Sequence, residues 1–254
     1  MLYALLPEDG NYVALEAAQI ALAERTGEEA SIDQLGQCIF ALVGQAKIDW
    51  LPDEKQLRRT LPNHNRSPPW PISCERDLEP WLERYLWQSA RGFYSPPPPS
   101  LTVVVENTAR VPVGTQWTRP DLSMACVTRY LYQPVPVFDL FTFELKLAYD
   151  CNVRAVHESL AHSSSANFSY LAVYAPEGDE ASVQAETNLP IMLEQAGRHG
   201  VGIIQIRDPR RPRDGYRRLL DARRHAPSPA KIDGFIEDRF HSVNKLALRR
   251  WVKP

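Results

Sequence analysis

Three side chains set the chemistry this sequence could perform. Glu144 and Lys146 lie two apart in the run Val-Phe-Asp-Leu-Phe-Thr-Phe-Glu-Leu-Lys-Leu, from Val137 to Leu147, and Asp121 follows Arg119-Pro120 upstream. The run is apolar or aromatic almost throughout, which predicts a buried strand. Residues two apart on a strand point to one face. A carboxylate and an ammonium buried side by side cost free energy unless they pair or hold a metal. Asp121 and Glu144 offer hard oxygen ligands suited to Mg²⁺ or Mn²⁺. On adjacent strands they would converge on one ion, with the Leu145 carbonyl as a further ligand.

The elements that must position these residues can be read along the chain. Residues 11 to 25 are strongly helix-forming and end at Gly27, and a second helix starts near Ser31-Ile32-Asp33. A third is expected over Asp53–Leu61, which would make residues 1–66 a small helical module of the helix-turn-helix or generic bundle kind. Pro62 to Pro71 cannot sustain a helix or a central strand, so a domain boundary falls there. A helix opens at Glu75, with Pro80 in its first turn. Strands follow over Leu101–Val105, Asp121–Tyr130 and Val137–Leu147. Next come a helix over Val153–His162, a strand over Ser169–Ala175, a helix over Leu189–His199 and a strand over Val201–Ile206. That order argues for an α/β domain, one mixed sheet flanked by helices, over residues 72–225. Residues 226–254 hold a terminal amphipathic helix.

Composition narrows the partners. A net charge of −2 gives no global basic signature, so nucleic acid must be met by a local patch. Residues 207–224 supply one, with eight arginines against three aspartates. The cysteines Cys38, Cys74, Cys126 and Cys151 form no C-x-x-C pair and read as reduced thiols. No apolar run approaches the ~20 residues that span a membrane, and the start lacks a signal peptide's basic region, so a cytoplasmic protein is expected.

An Asp, an interval and then Glu-x-Lys on a strand resembles the active site of the PD-(D/E)XK, or restriction-endonuclease-like, nucleases. A decoy, Asp33 with Asp53-Glu54-Lys55, meets the same spacing but sits in polar, helix-prone sequence. The resemblance extends in series through Glu75-x-Asp77-Leu78-x-Pro80-x-Leu82, Trp117-x-x-Pro120-Asp121-Leu122, Phe143-Glu144-Leu145-Lys146 and Asn152-x-Arg154. It continues in Ser163-Ser164-x-Ala166-Asn167-x-x-Tyr170-Leu171 and Gly200-Val201-Gly202-Ile203-Ile204. Together these resemble bacterial nuclease domains, linked to restriction and phage defence, that often follow a winged helix-turn-helix. Glu158 and His162 depart from that group, which carries Gln and Asn there.

The resemblance implies metal-dependent phosphodiester hydrolysis, with DNA as the expected substrate and RNA as a further one, in restriction, phage defence or repair. Asp121 and Glu144 would hold the metal and Lys146 would orient or deprotonate the attacking water. Glu75 resembles a helix glutamate that some members add to the site, with Glu79 as its substitute if the register differs. Arg154 and His157 could touch a phosphate, as could Arg210, Arg211 and Arg213. Each residue has a plainer role available: an ion pair for Glu144 and Lys146, a turn for Asp121, a first-turn charge for Glu75, a solvated face for the rest. The alternative reading of the chain is a catalytically silent nuclease fold serving as a DNA-binding or assembly subunit. A homodimer or a defence-system partner protein would suit either.

Overall fold

A computed structural model of the chain describes residues 2–6, 13–27, 32–44, 48–51, 56–59, 70–109, 119–178 and 180–252. The N-terminal part runs α1 (Leu2–Leu5), β1 (Val13–Ala14), α2 (Leu15–Thr26), α3 (Ile32–Gly44), β2 (Ile48–Leu51) and β3 (Gln56–Arg59). Strand β3 pairs antiparallel with both β1 and β2, giving a three-stranded sheet in the order β1-β3-β2. Gly27 closes α2 at φ 75°, the left-handed conformation that glycine adopts freely, with its N–H bonded to the Ala23 carbonyl.

Two expectations are corrected here. Where a helix is expected over Asp53–Leu61, the described residues Gln56–Arg59 are strand β3, because they pair across two neighbours and tertiary pairing overrides helix propensity. Val13 and Ala14 belong to β1 rather than to the following helix, for the same reason. Residues 60–69, which hold most of the expected domain boundary, and the decoy triplet Asp53-Glu54-Lys55 lie outside the described residues.

The main sheet has six strands: β4 (Ser100–Asn107), β5 (Leu122–Arg129), β6 (Val137–Leu147), β7 (Phe168–Tyr174), β8 (Gly202–Ile206) and β9 (Tyr216–Leu220), in that spatial order. Strands β4, β5 and β6 are antiparallel, β6 to β8 are parallel, and β9 is antiparallel again. Parallel neighbours need crossovers, supplied by α5 (Val153–His162) between β6 and β7 and α6 (Glu180–His199) between β7 and β8. Helix α4 (Glu75–Ser89) precedes the sheet, and α7 (Pro229–Arg239) and α8 (Ser242–Trp251) follow it. The chain is therefore an α/β protein with a mixed sheet flanked by helices.

Alternation along β6 divides the core. Phe141, Phe143 and Leu145 face α4 and pack with Leu78, Leu82 and Leu86. On the other face, Leu171, Val173 and Ile203 pack under Val156 of α5 and Met192 and Ala196 of α6. Further along, Val104, Ala125, Val127 and Leu140 are covered by Val243, Ala247, Leu248 and Trp251 of α8. The same cluster holds Ala17, Ala18 and Ala21 of α2, so α8 touches both the sheet and the N-terminal part. Glu106, wholly buried on β4, pins the start of α8 by accepting from the His241 N–H (3.0 Å) and the Asn244 amide (2.8 Å).

Three more readings are revised. The terminal amphipathic helix is two helices, α7 and α8, broken at Phe240 and His241, where the backbone is extended. The arginine-rich stretch contains strand β9, paired with β8. Pro80 lies inside α4 rather than in its first turn, since the helix already begins at Glu75.

Candidate active site

Asp121 stands just before β5, and its N–H donates to the Phe143 carbonyl (3.0 Å), continuing the ladder in which Leu122 opposes Phe143. That register sets Asp121 beside Glu144. Its Oδ2 accepts the Leu145 N–H at 2.6 Å. A strand residue's N–H and C=O point to one side, so the Leu145 carbonyl also faces the Asp121 side of β6. Lys146 Nζ donates to Glu144 Oε1 at 2.7 Å, the same-face pair the spacing predicts. Glu75, the first residue of α4, comes within 3.5 Å of the same ammonium. Asp77 fixes the start of that helix by accepting from the Ser73 N–H (2.9 Å), the Ser73 hydroxyl (2.6 Å) and the Cys74 N–H (3.1 Å).

Helix α5 completes the cluster. Asn152 caps it by accepting the Arg154 N–H at 2.9 Å. Ala155, Glu158 and His162 fall at helical spacing on one stripe, so the stripe that packs on the sheet carries two titratable groups. Glu158 Oε2 lies 3.3 Å from Lys146, and its Oε1 takes the Arg154 Nε–H at 3.1 Å. His162 Nε2 is 3.0 Å from Glu144 Oε2. The Nε2–H tautomer satisfies this bond and leaves only a bare lone pair at Nδ1, which has no partner among the described residues.

Beside Asp121, which is not in its lining, lies a cavity of about 380 Å³ that sets Glu75, Glu144, Asp150 and Glu158 against Lys146 and Arg154, with His162 also in its wall. Acids outnumber bases, and the cavity favours a cation. Burial and the nearby Glu144 charge push the Asp121 carboxyl well above its ordinary value. Burial pulls Glu144 up too, but the His162 hydrogen bond and the Lys146 charge outweigh it and hold Glu144 below its ordinary value. Glu75 is raised, mainly by burial. Burial would lower the Lys146 ammonium, yet Glu144, Glu75 and Asp121 together carry it above the usual lysine range. Lys146 is therefore a cation at neutral pH.

The structure thus brings Asp121, Glu144, Leu145, Lys146, Glu75 and Arg154 to one end of the central strands β5 and β6. It decides between the two helix glutamates: Glu79 is buried against β4, accepting from the Asn107 amide at 2.6 Å, and Glu75 faces the cavity. His157 is not at the cavity; its ring packs 5.6 Å from that of His199 on α6. Arg210, Arg211 and Arg213 lie on the loop between β8 and β9, outside the cavity lining. Glu158 and His162 were not among the expected site residues. The signal that marks them is their four-residue spacing within the apolar stripe of α5.

Among the described residues, no group of three or more His, Cys, Asp or Glu side chains is arranged to enclose a metal ion. No helix among them is long and apolar enough to cross a membrane. No known protein family matches the chain, and no curated protein is significantly similar to it.

Proposed function

We propose that the chain is a metal-dependent nuclease of the PD-(D/E)XK, restriction-endonuclease-like kind, acting on DNA. The observation that carries this reading is the convergence of Asp121, Glu144 and Lys146 at one end of strands β5 and β6 beside an acidic cavity. An ion pair serving stability alone would not need a second buried carboxylate whose protonation is shifted by the first. Asp121 and Glu144 are two hard carboxylates crowded together, the donor type a divalent cation takes, and Mg²⁺ is commonly held by one or two carboxylates with waters completing its shell. Those two residues and the Leu145 carbonyl would hold it. A bound Mg²⁺ or Mn²⁺ supplies Lewis-acid polarisation of a phosphoryl oxygen and acidifies a water.

The remaining roles belong to the chain's own groups. Lys146, held as an ammonium, donates to the attacking water or to a non-bridging phosphate oxygen and stabilises charge that develops there. His162 fixes one oxygen of Glu144 and so orients its carboxylate. Arg154, at the cavity and largely exposed, is held by Glu158 and would have to leave that carboxylate to meet a flanking phosphate. The order of elements from α1 to β3 and the β1-β3-β2 sheet support a winged helix-turn-helix reading of the N-terminal part, which would recognise DNA or a partner protein.

Lys146→Ala tests the reading. Wild type and variant would be incubated with Mg²⁺ or Mn²⁺ and plasmid, linear duplex, single-stranded DNA and RNA. Cleavage by the wild type and its loss in a variant that keeps its circular dichroism is the expected result. Nucleic acid bound but never cut would favour the silent binding subunit instead.

A further inference from the structure

We infer that Trp70 and Arg210 form a stacking platform for an unpaired nucleobase, which makes nucleic acid with single-stranded segments the preferred substrate. The inference rests on the nuclease reading above. Trp70 is 48% exposed. The Arg210 guanidinium sits over its ring, 4.0 Å from the centroid. Asp208 holds that guanidinium through two bonds, Nε–H to Oδ1 at 2.9 Å and Nη2–H to Oδ2 at 3.0 Å. Such a fork fixes the guanidinium plane, not just its position.

The loop that presents Arg210 is itself closed. The Arg210 N–H donates to Asp208 Oδ1 (3.1 Å), the Arg211 N–H to the Asp208 carbonyl (3.1 Å) and the Gly215 N–H to the Arg211 carbonyl (2.7 Å). A Cβ at Gly215 would stand 1.8 Å from the Asp208 carbonyl oxygen, so only glycine lets the loop close. Arg210 is thus ordered before any ligand arrives, which lowers the entropy cost of using it.

A charge already matched by a carboxylate is a poor grip for phosphate. What Arg210 still offers is a flat, solvent-facing cation backed by indole, and planar bases stack on such a surface. The platform also lies at the right end of the sheet. Lys146 is level with Val173 on β7 and Gln205 on β8, so the chain leaves β8 at the same end of the sheet, two strand spacings or roughly 10 Å across. Trp70 shortly precedes Glu75, which reaches Lys146. Bases within a duplex have both faces covered, so only an unpaired or flipped base reaches the platform.

The test uses the full chain carrying Lys146→Ala, in chelator, and fluorescence anisotropy of three labelled probes: an oligothymidylate, an abasic oligomer of equal length and charge, and a blunt duplex. The oligothymidylate is expected to bind roughly tenfold tighter than the abasic strand, the scale of one stacked base. Trp70→Leu and Arg210→Lys should erase that difference and leave abasic affinity unchanged, since Arg210→Lys keeps the charge but not the plane. Trp70→Phe should retain part of the difference, and it carries the test if Trp70→Leu fails to fold. Equal binding of base-bearing and abasic strands overturns the platform alone, as does a difference that survives Trp70→Leu. Failure to bind any of the three probes overturns the nuclease reading beneath it.

Discussion

At the scale of single residues, the site consists of charges that would rather not be neighbours. Asp121 shows this most directly. Its folded-state pKa is raised by burial and by Glu144, so the stability it contributes is complete below the ordinary carboxylate pKa of about 3.9 and is lost as pH rises through the raised value. Asp121→Asn keeps an oxygen for the Leu145 N–H and removes the charge. In chelator its melting temperature should exceed the wild type's by roughly 2–4 °C for each kcal/mol of repulsion relieved. The gap should widen as pH rises from about 4 towards neutrality. Mn²⁺ should raise the melting temperature of wild type and not of the variant; a gap that is flat with pH would remove the repulsion from this account. His162 acts through Glu144. His162→Ala should lower turnover about 10- to 100-fold, while His162→Gln, which keeps an N–H donor, should recover part of it. Equal loss in both variants would count against a positioning role.

At the scale of elements, what could be read from sequence divides along a physical line. The strand through Glu144 and Lys146 and the helix over Val153–His162 match β6 and α5 residue for residue, because each carries its own period in its apolar residues. That Glu144 and Lys146 share a face was legible because a charge in an apolar strand is conspicuous, and Asp121 could be picked out just ahead of the next apolar segment. For Glu158 and His162 only the shared stripe was legible, since the facing of α5 is set by how Ala155 and Val156 pack on the sheet. The choice between Glu75 and Glu79 depends on where α4 begins, and the Asp77 contacts that decide it fold back on Ser73 and Cys74. Strands β3 and β9 were hidden for a common reason: both are short and polar, and both exist by pairing with partners distant in sequence. The loop between β8 and β9 makes its own prediction. Gly215→Ala must push Asp208 and Arg211 apart, at about 1–3 kcal/mol for overpacking. Its melting temperature should fall, and Arg210 should lose its fixed plane. An unperturbed Gly215→Ala protein would mean that the loop is not as closed as its hydrogen bonds imply.

At the scale of the whole molecule, α8 holds two parts together. Its Ala247, Leu248 and Trp251 share one apolar cluster with α2 and with strands β4 to β6, and Glu106 anchors its first turn from within the sheet. Trp251→Ala should cost about 3–5 kcal/mol in chemical denaturation. It should also speed hydrogen exchange in α2; a loss confined to α8 would show that the N-terminal part does not depend on it. The same placement bears on how the protein is made. Helix α2 leaves the ribosome about 200 residues before α8, which at about 5–20 residues per second is roughly 10–40 s. Throughout that interval α2 has only its N-terminal neighbours, such as Leu6, Leu35, Ile39 and Leu57, to share its apolar cluster, and the cover from α8 comes last.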